Sequence, residues 1–165
     1  MWNVKAEYDA ILFDAGGVFV IPDPAVLAPT LAYYGATLDH DQYHRAHYGA
    51  MAAKSRAQVT ENDWSHYNRR YVTLVGVHPD EQDSAVFVLS RTRHAHLWRA
   101  PIAGSSDVLR ELNQRGTPIG VVSNASGQIE EILRRSNICQ VGEGVLPQVR
   151  CIVDSDVVGI AKPDP

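Results

Sequence analysis

Three short, mainly apolar runs near the two ends of the chain are each followed by a polar residue. They are Ala10–Phe13, Pro118–Val122 and Val149–Val153. Runs of this length without a helical period are typical of strands buried on both faces of a parallel sheet. The sequence therefore predicts three parallel strands, with Asp14 and Ser123 just beyond the ends of the first two.

Amphipathic segments lie between the predicted strands. Ser106 is expected to cap a helix that closes at Gly116, and Ser126 is expected to begin another. The apolar faces of the two helices are Val108, Leu109 and Leu112 in the first and Ile129, Ile132 and Leu133 in the second. Alternation of strands and helices requires right-handed crossovers and predicts an α/β fold with a doubly wound parallel sheet.

The block from residue 22 to residue 100 has a different pattern, with few strand-like runs and repeated helix-start signals. Asp39 and Thr60 are predicted N-caps, and Pro79 fits the first turn of another helix. Three or four helices are expected, with an aromatic core stripe formed by Trp64, Tyr67 and Tyr71. We interpret residues 22–100 as a helical insertion into an α/β core formed by residues 1–21 and 101–165.

Composition excludes several classes of protein. The chain has 165 residues, is 45% hydrophobic and carries 15 basic against 19 acidic residues, for a net charge of −4. That balance argues against electrostatic binding of nucleic acid, and no apolar segment reaches the about 20 residues of a membrane span. Without a secretory signal the expected location is cytoplasmic. Cys139 and Cys151 match no zinc or redox spacing and are expected to be buried or idle thiols.

Residues that could take part in catalysis or ligand binding follow the predicted strands. Asp14 is followed by Gly16 and Gly17, which favour a tight turn where backbone can approach a ligand. Ser123 follows the second strand, and Lys162 comes after the third. Because ligands of such sheets bind beyond the carboxyl ends of the strands, these residues are expected to form one site.

Three segments carry a family resemblance. Phe13–Val18, Val122–Asn124 and Gly159–Pro165 resemble, in this order, the first three motifs of the haloacid dehalogenase (HAD) superfamily of hydrolases. The block of residues 22–100 is similar to the helical cap that this superfamily inserts between its first and second motifs. The resemblance implies a Rossmann-like core with an inserted cap.

The resemblance also implies a reaction and a set of roles. Asp14 would be a nucleophile that forms an aspartyl-phosphate, and Lys162 would neutralise the charge around it. Ser123, Asn124 and Gly17 would bind the substrate phosphate, while Asp14 and the Gly16 carbonyl would bind Mg²⁺. The expected activity is Mg²⁺-dependent hydrolysis of a small phosphorylated metabolite, a phosphomonoester.

Two departures from the family pattern leave alternatives open. Family phosphatases usually have a second Asp at the position of Gly16, and the acidic fourth motif is expected beyond Pro165, with the core incomplete at its C-terminal end. One alternative is a catalytically impaired or truncated protein that binds a ligand or partner. Lower alternatives are a phosphonate hydrolase, with Lys54 as its Schiff-base lysine, and a dehalogenase. The sequence leaves the oligomeric state open.

Weaker signals have plainer interpretations. His40, His44 and His47 share one helix face in principle, but a solvated or groove-lining face is favoured over a metal site. Basic residues near the end of the insertion are interpreted as the wet face of a helix, with contact to an anionic substrate as the alternative: Arg91, Arg93, His94, His96 and Arg99. Asp154 and Asp156 are interpreted as turn residues.

Overall fold

The structure, a computed structural model, describes residues 8–60, 62–92 and 97–164. Contacts divide the chain into two units. The α/β unit comprises the described residues up to Val20 and from Pro101 onward, and the helical unit comprises Ile21–Ala100. Both divisions fall within one residue of the boundaries expected from the change in sequence pattern.

Seven strands and seven α-helices lie in the described part of the chain. The strands are β1 (Ile11–Phe13), β2 (Val20–Pro22), β3 (Trp98–Pro101), β4 (Ile119–Ser123), β5 (Gln140–Val141), β6 (Gln148–Val149) and β7 (Cys151–Asp154). The helices are α1 (Pro24–Ala32), α2 (His40–Ala57), α3 (Ser65–Leu74), α4 (Gln82–Thr92), α5 (Ser105–Gln114), α6 (Ile129–Arg135) and α7 (Ser155–Val158). A 3₁₀ turn over Pro79–Glu81 leads into α4.

The three predicted strands are confirmed as one parallel sheet in the order β1, β4, β7. The register places Leu12 beside Gly120 and Gly120 beside Cys151. A Cβ atom at Gly120 would lie 2.7 Å from Leu12 Cδ2 and 3.3 Å from Cys151 Sγ, so a larger residue there would require these two side chains to shift. The third strand starts two residues later than predicted, because Gln148–Val149 pairs with β5 instead.

Two predicted helix starts in the α/β unit are wrong. Helix α5 begins at Ser105 with Gly104 at its N-cap, so Ser106 lies inside the helix. Helix α6 begins at Ile129, three residues after Ser126, and the distant carboxylate of Asp154 accepts the Ile129 N–H at 3.3 Å. A capping group from another part of the chain is not visible in a local pattern.

The helical unit contains the four helices α1 to α4 within its described residues. The Asp39 cap is confirmed, since its Oδ1 accepts the Asp41 N–H at 3.0 Å. The Thr60 cap is wrong, because α3 begins at Ser65, where Asp63 Oδ1 accepts the Ser65 N–H at 2.8 Å. None of the described helices is long and apolar enough to cross a membrane.

Aromatic side chains form the centre of the helical unit. Tyr67 and Tyr71 are each 1% exposed and stack with ring centroids 5.4 Å apart, and Trp64 packs against the same cluster. The predicted core stripe is therefore confirmed. Burial raises the pKa of Tyr71 above its usual range, as expected for a phenol removed from water.

His47 lies in this aromatic core and not on a solvated face. It is 1% exposed, and its Nδ1 lies 3.0 Å from the Tyr67 hydroxyl. His40 on the same helix is exposed. The described residues contain no group of three or more metal-ligating side chains able to hold a metal ion. The expectation of a solvated histidine face is wrong for His47, because His40 is the first residue of α2 whereas His47 lies where α2 packs against Tyr67 of α3.

Leu109 gives a test of the core of the α/β unit. Its side chain on α5 is fully buried, while that of the preceding Val108 is 53% exposed. Leu109→Ala is expected to lower the free energy of unfolding by about 2–5 kcal/mol, because it removes buried methyl groups and leaves a cavity. Val108→Ala is the control and should change it by less than about 1 kcal/mol. Urea unfolding measures both, and equal losses would contradict the packing described.

The two cysteines give a test of burial. Of the two thiols expected to be buried or idle, Cys139 is buried and Cys151 is exposed. Burial, with a smaller contribution from Glu130, raises the pKa of Cys139 to about 11. At pH 8 iodoacetamide should therefore modify Cys151 and spare Cys139, because thiolate is the reactive form. Peptide mass spectrometry measures this. Equal labelling in the folded protein would contradict it, and unfolding in urea should expose both thiols.

Candidate active site

Asp14 lies directly after β1, at the carboxyl edge of the sheet. Its side chain is 49% exposed, and its Oδ1 accepts the N–H of Ala15 at 2.8 Å. The Ala15 carbonyl in turn accepts the N–H groups of Phe19 at 2.8 Å and Val20 at 3.2 Å. These bonds fix the turn and leave the carboxylate accessible at a defined position.

The two glycines of this turn have different backbone roles. Gly17 has a φ of 77°, which favours glycine, and it donates its N–H to the Val20 carbonyl at 2.8 Å. Its N–H is therefore engaged within the turn, in contrast to its predicted role toward phosphate. The Gly16 N–H and carbonyl have no hydrogen-bond partner among the described residues.

Lys162 brings the first and third predicted motifs together. Its Nζ donates to Asp14 Oδ1 at 3.0 Å and to the Val122 carbonyl at 2.8 Å. The ammonium therefore lies beside the Asp14 carboxylate and the carboxyl end of β4. Both side chains remain partly exposed, 40% for Lys162 and 49% for Asp14, so an anion in solution can reach the pair.

Ser123 is the last residue of β4 and Asn124 follows it, so both lie at the same edge of the sheet. Ser123 is 5% exposed, and its hydroxyl has no hydrogen-bond partner in the part of the chain that the structure describes. Asn124 is engaged differently: its Oδ1 accepts the Lys162 N–H at 2.8 Å, and its Nδ2 donates to the Lys162 carbonyl at 3.0 Å. Both amide atoms thus bond the main chain of Lys162, which differs from the predicted contact with phosphate.

Asp154 has a larger structural role than the turn residue expected from the sequence. It is 5% exposed at the end of β7, and its Oδ1 accepts the Asp156 N–H at 3.0 Å while Oδ2 accepts that of Ile129. The next residue, Ser155, exchanges two hydrogen bonds with the Ala125 backbone. Asp154 thus caps α6 and α7 and helps to fix the loop after Asn124. Its position at a strand end before another Asp was the available signal.

Two oxygen atoms of the turn after β1 are suited to Mg²⁺. Asp14 Oδ2 and the Gly16 carbonyl accept no hydrogen bond from the described residues. Both are hard ligands, and Mg²⁺ commonly binds through one or two carboxylates while waters and phosphate oxygens complete its coordination. The chemistry of these two oxygens therefore fits a magnesium ion.

Other candidate residues belong to the helical unit and have local partners there. The Lys54 ammonium lies 3.5 Å from the centroid of the Trp64 ring, a cation–π contact. Arg99 Nε pairs with Asp23 at 2.8 Å, and Arg91 lies over the Phe87 ring. The neighbouring positions 93–96, which include Arg93, His94 and His96, lie outside the described residues.

Comparisons with known proteins bear on the family and the fold. The profile of a haloacid dehalogenase-like hydrolase family matches residues 8–165. A hydrolase from Streptococcus pneumoniae TIGR4 has a similar structure, with a TM-score of 0.51 and 21% identity over 94% of this chain and 71% of that one. No curated protein sequence matches the chain.

Two further solved structures are similar at lower scores. A dehalogenase solved as an intermediate complex is 15% identical over 98% of this chain and 69% of that one, with a TM-score of 0.47. The HAD hydrolase YfnB from Bacillus subtilis, bound to magnesium, is 21% identical over 94% and 69%, with a TM-score of 0.46. The likeness to the Streptococcus pneumoniae hydrolase supports the fold, and the profile covers nearly the whole chain. The match of the family profile to residues 8–165 shows that the chain belongs to the haloacid dehalogenase-like hydrolases.

Proposed function

We propose that this hydrolase cleaves small phosphomonoesters through Asp14, in a Mg²⁺-dependent reaction. The observation that carries the proposal is the contact between Asp14 Oδ1 and Lys162 Nζ at the carboxyl edge of the sheet. A carboxylate that attacks a phosphate must approach another anion. A lysine beside it, together with uncommitted donors at Gly16 and Ser123, supplies the compensating charge and hydrogen bonds.

In the first step an Asp14 carboxylate oxygen attacks the phosphorus of the ester. The bond from phosphorus to the ester oxygen breaks, an aspartyl-phosphate forms, and the leaving oxygen takes a proton from water. The Lys162 ammonium stays beside the Asp14 carboxylate and the phosphoryl group. The Ser123 hydroxyl donates to a phosphoryl oxygen, as the family resemblance implies, and the Gly16 N–H donates to another in the place expected for the Gly17 N–H.

In the second step a water molecule attacks the phosphorus of the aspartyl-phosphate. The bond from phosphorus to the Asp14 oxygen breaks, inorganic phosphate leaves, and Asp14 returns as a carboxylate. The Asp14 carboxylate and the Gly16 carbonyl would hold Mg²⁺, which when bound neutralises charge on the phosphoryl oxygens. Covalent catalysis thus divides one slow hydrolysis into two easier steps.

Gly16 determines which esters react well. It has no side chain that can transfer a proton, and the leaving oxygen must therefore depart with its negative charge largely developed. Esters of acidic alcohols, such as aryl phosphates, tolerate this better than alkyl phosphates. The same feature favours a second candidate function, in which the protein binds a phosphorylated ligand without turning it over.

Asp14→Asn tests the nucleophile. The amide is a poor nucleophile, so hydrolysis of p-nitrophenyl phosphate with Mg²⁺ is expected to fall by about 10³-fold or more. Asp107→Asn is the matched control, because Asp107 is an exposed carboxylate of the same unit that pairs with Arg110. Trapping by acid quench should show a phosphate adduct on the wild-type chain and none on Asp14→Asn. Unchanged hydrolysis in Asp14→Asn excludes the proposal, and binding without turnover in the wild type favours the second candidate.

Gly16→Asp tests the missing proton donor. The φ of Gly16 is not positive, so an aspartate fits the backbone there without strain. General acid catalysis contributes about 10²–10⁴-fold, so kcat for an alkyl phosphate should rise by about 10²-fold, and kcat for the aryl ester should rise much less. Gly16→Asn adds a side chain of the same size without a proton to give, and should produce no gain. An equal response of Asp and Asn variants would show that proton transfer does not limit the reaction.

A further inference from the structure

We propose that Asn124 is a positioning residue that fixes the main chain of Lys162 and thereby aims its ammonium group at Asp14. Its effect on catalysis rests on the proposed function, whereas its effect on Lys162 does not. We call the two hydrogen bonds between the Asn124 amide and the Lys162 N–H and carbonyl the Asn124 clamp.

The segment that carries Lys162 needs such an anchor. It follows α7 without regular structure, and Gly159, Ile160 and Ala161 are exposed. Lys162 itself makes four hydrogen bonds to the ends of β1 and β4, two from its main chain to Asn124 and two from its Nζ. The main-chain pair determines where the lysine side chain starts, and the Nζ pair determines where it ends.

The ion pair alone is a weak anchor. Asp14 and Lys162 are both partly exposed, and solvent-exposed pairs of a lysine and a carboxylate contribute little because water screens them and the long side chain loses rotamer freedom. A planar amide that bonds both polar groups of one residue restricts that residue's orientation more strongly. The clamp therefore places Lys162, and the ammonium reaches Asp14 as a consequence.

A second clamp of the same kind provides a control. Asn113 Nδ2 donates to the Gln148 carbonyl at 2.9 Å, and Asn113 Oδ1 accepts the Gln148 N–H at 2.7 Å. Asn113 lies near the end of α5, and Gln148 lies in β6, before the amino end of β7. Asn113→Ala and Asn124→Ala thus remove the same two bonds from opposite ends of the strands, and only the second touches Lys162.

Lysine NMR tests the proposal directly. The chain has three lysines, Lys5, Lys54 and Lys162, so a ¹³Cε–¹Hε spectrum of lysine-labelled protein is simple to assign. An ammonium with fixed partners gives two distinct ε-proton shifts, and these should merge for Lys162 in Asn124→Ala. In Asn113→Ala the Lys162 signals should keep the wild-type separation. Merging in both variants, or in neither, overturns the proposal.

A second variant covers the case in which Asn124→Ala does not fold. Asn124→Asp has nearly the same shape and keeps an acceptor for the Lys162 N–H, but it loses the donor to the Lys162 carbonyl. The separation of the ε-proton shifts is expected to lie between those of the wild type and a released lysine. An unchanged Lys162 spectrum in Asn124→Asp also overturns the proposal.

Hydrolysis of p-nitrophenyl phosphate separates this proposal from the proposed function. Displacement of a catalytic group by about 1 Å can cost about 10²-fold, so kcat of Asn124→Ala should fall by about 10- to 100-fold with little change in KM. Direct contact of Asn124 with phosphate would instead raise KM and leave the Lys162 signals separate, which contradicts positioning. If the wild type has no turnover and the Lys162 signals still merge in Asn124→Ala, positioning stands and the phosphatase proposal fails.

Discussion

The site depends on bringing a carboxylate and an ammonium group together from positions 148 residues apart in the chain. Asp14 is fixed by the short turn after β1, and Lys162 is fixed from the neighbouring strand through Asn124 and the Val122 carbonyl. A parallel sheet brings such distant residues together, because the carboxyl ends of its strands lie at one edge. The functional geometry therefore follows from the order β1, β4, β7 and from the bonds of the loops at that edge.

Much of the fold was predictable because it rests on local hydrophobic patterns. The strands β1, β4 and β7 begin and end within one or two residues of the apolar runs that predicted them. The helical block lies between β1 and β4 in the chain, as predicted. Helix starts were less predictable. Helix α6 receives a capping bond from Asp154, 25 residues away, and no signal near Ser126 reports that bond. The pattern of apolar residues cannot predict a helix boundary that is set by a residue far away in the chain.

In the candidate site too, local sequence patterns predicted some features, and contacts between distant residues determined the others. Asp14 and Ser123 could be found because a polar residue after an apolar run indicates a strand end, and Lys162 because its segment resembles a motif of the family. The partners of Gly17 and Asn124 could not, since whether an N–H or an amide faces a ligand or the chain's own backbone depends on the folded loop. His47 gives a further example, because helical spacing does not show which face of α2 packs against Tyr67.

Each asparagine clamp has a wider consequence for strands as short as these. An asparagine side chain carries the same carbonyl and N–H groups as a peptide unit, and by bonding both polar groups of a residue it acts as one additional rung of a sheet ladder. The strands of the main sheet have three, five and four residues, yet Asn113 and Asn124 extend hydrogen bonding beyond their amino and carboxyl ends. A small sheet can in this way keep its loops in register without longer strands.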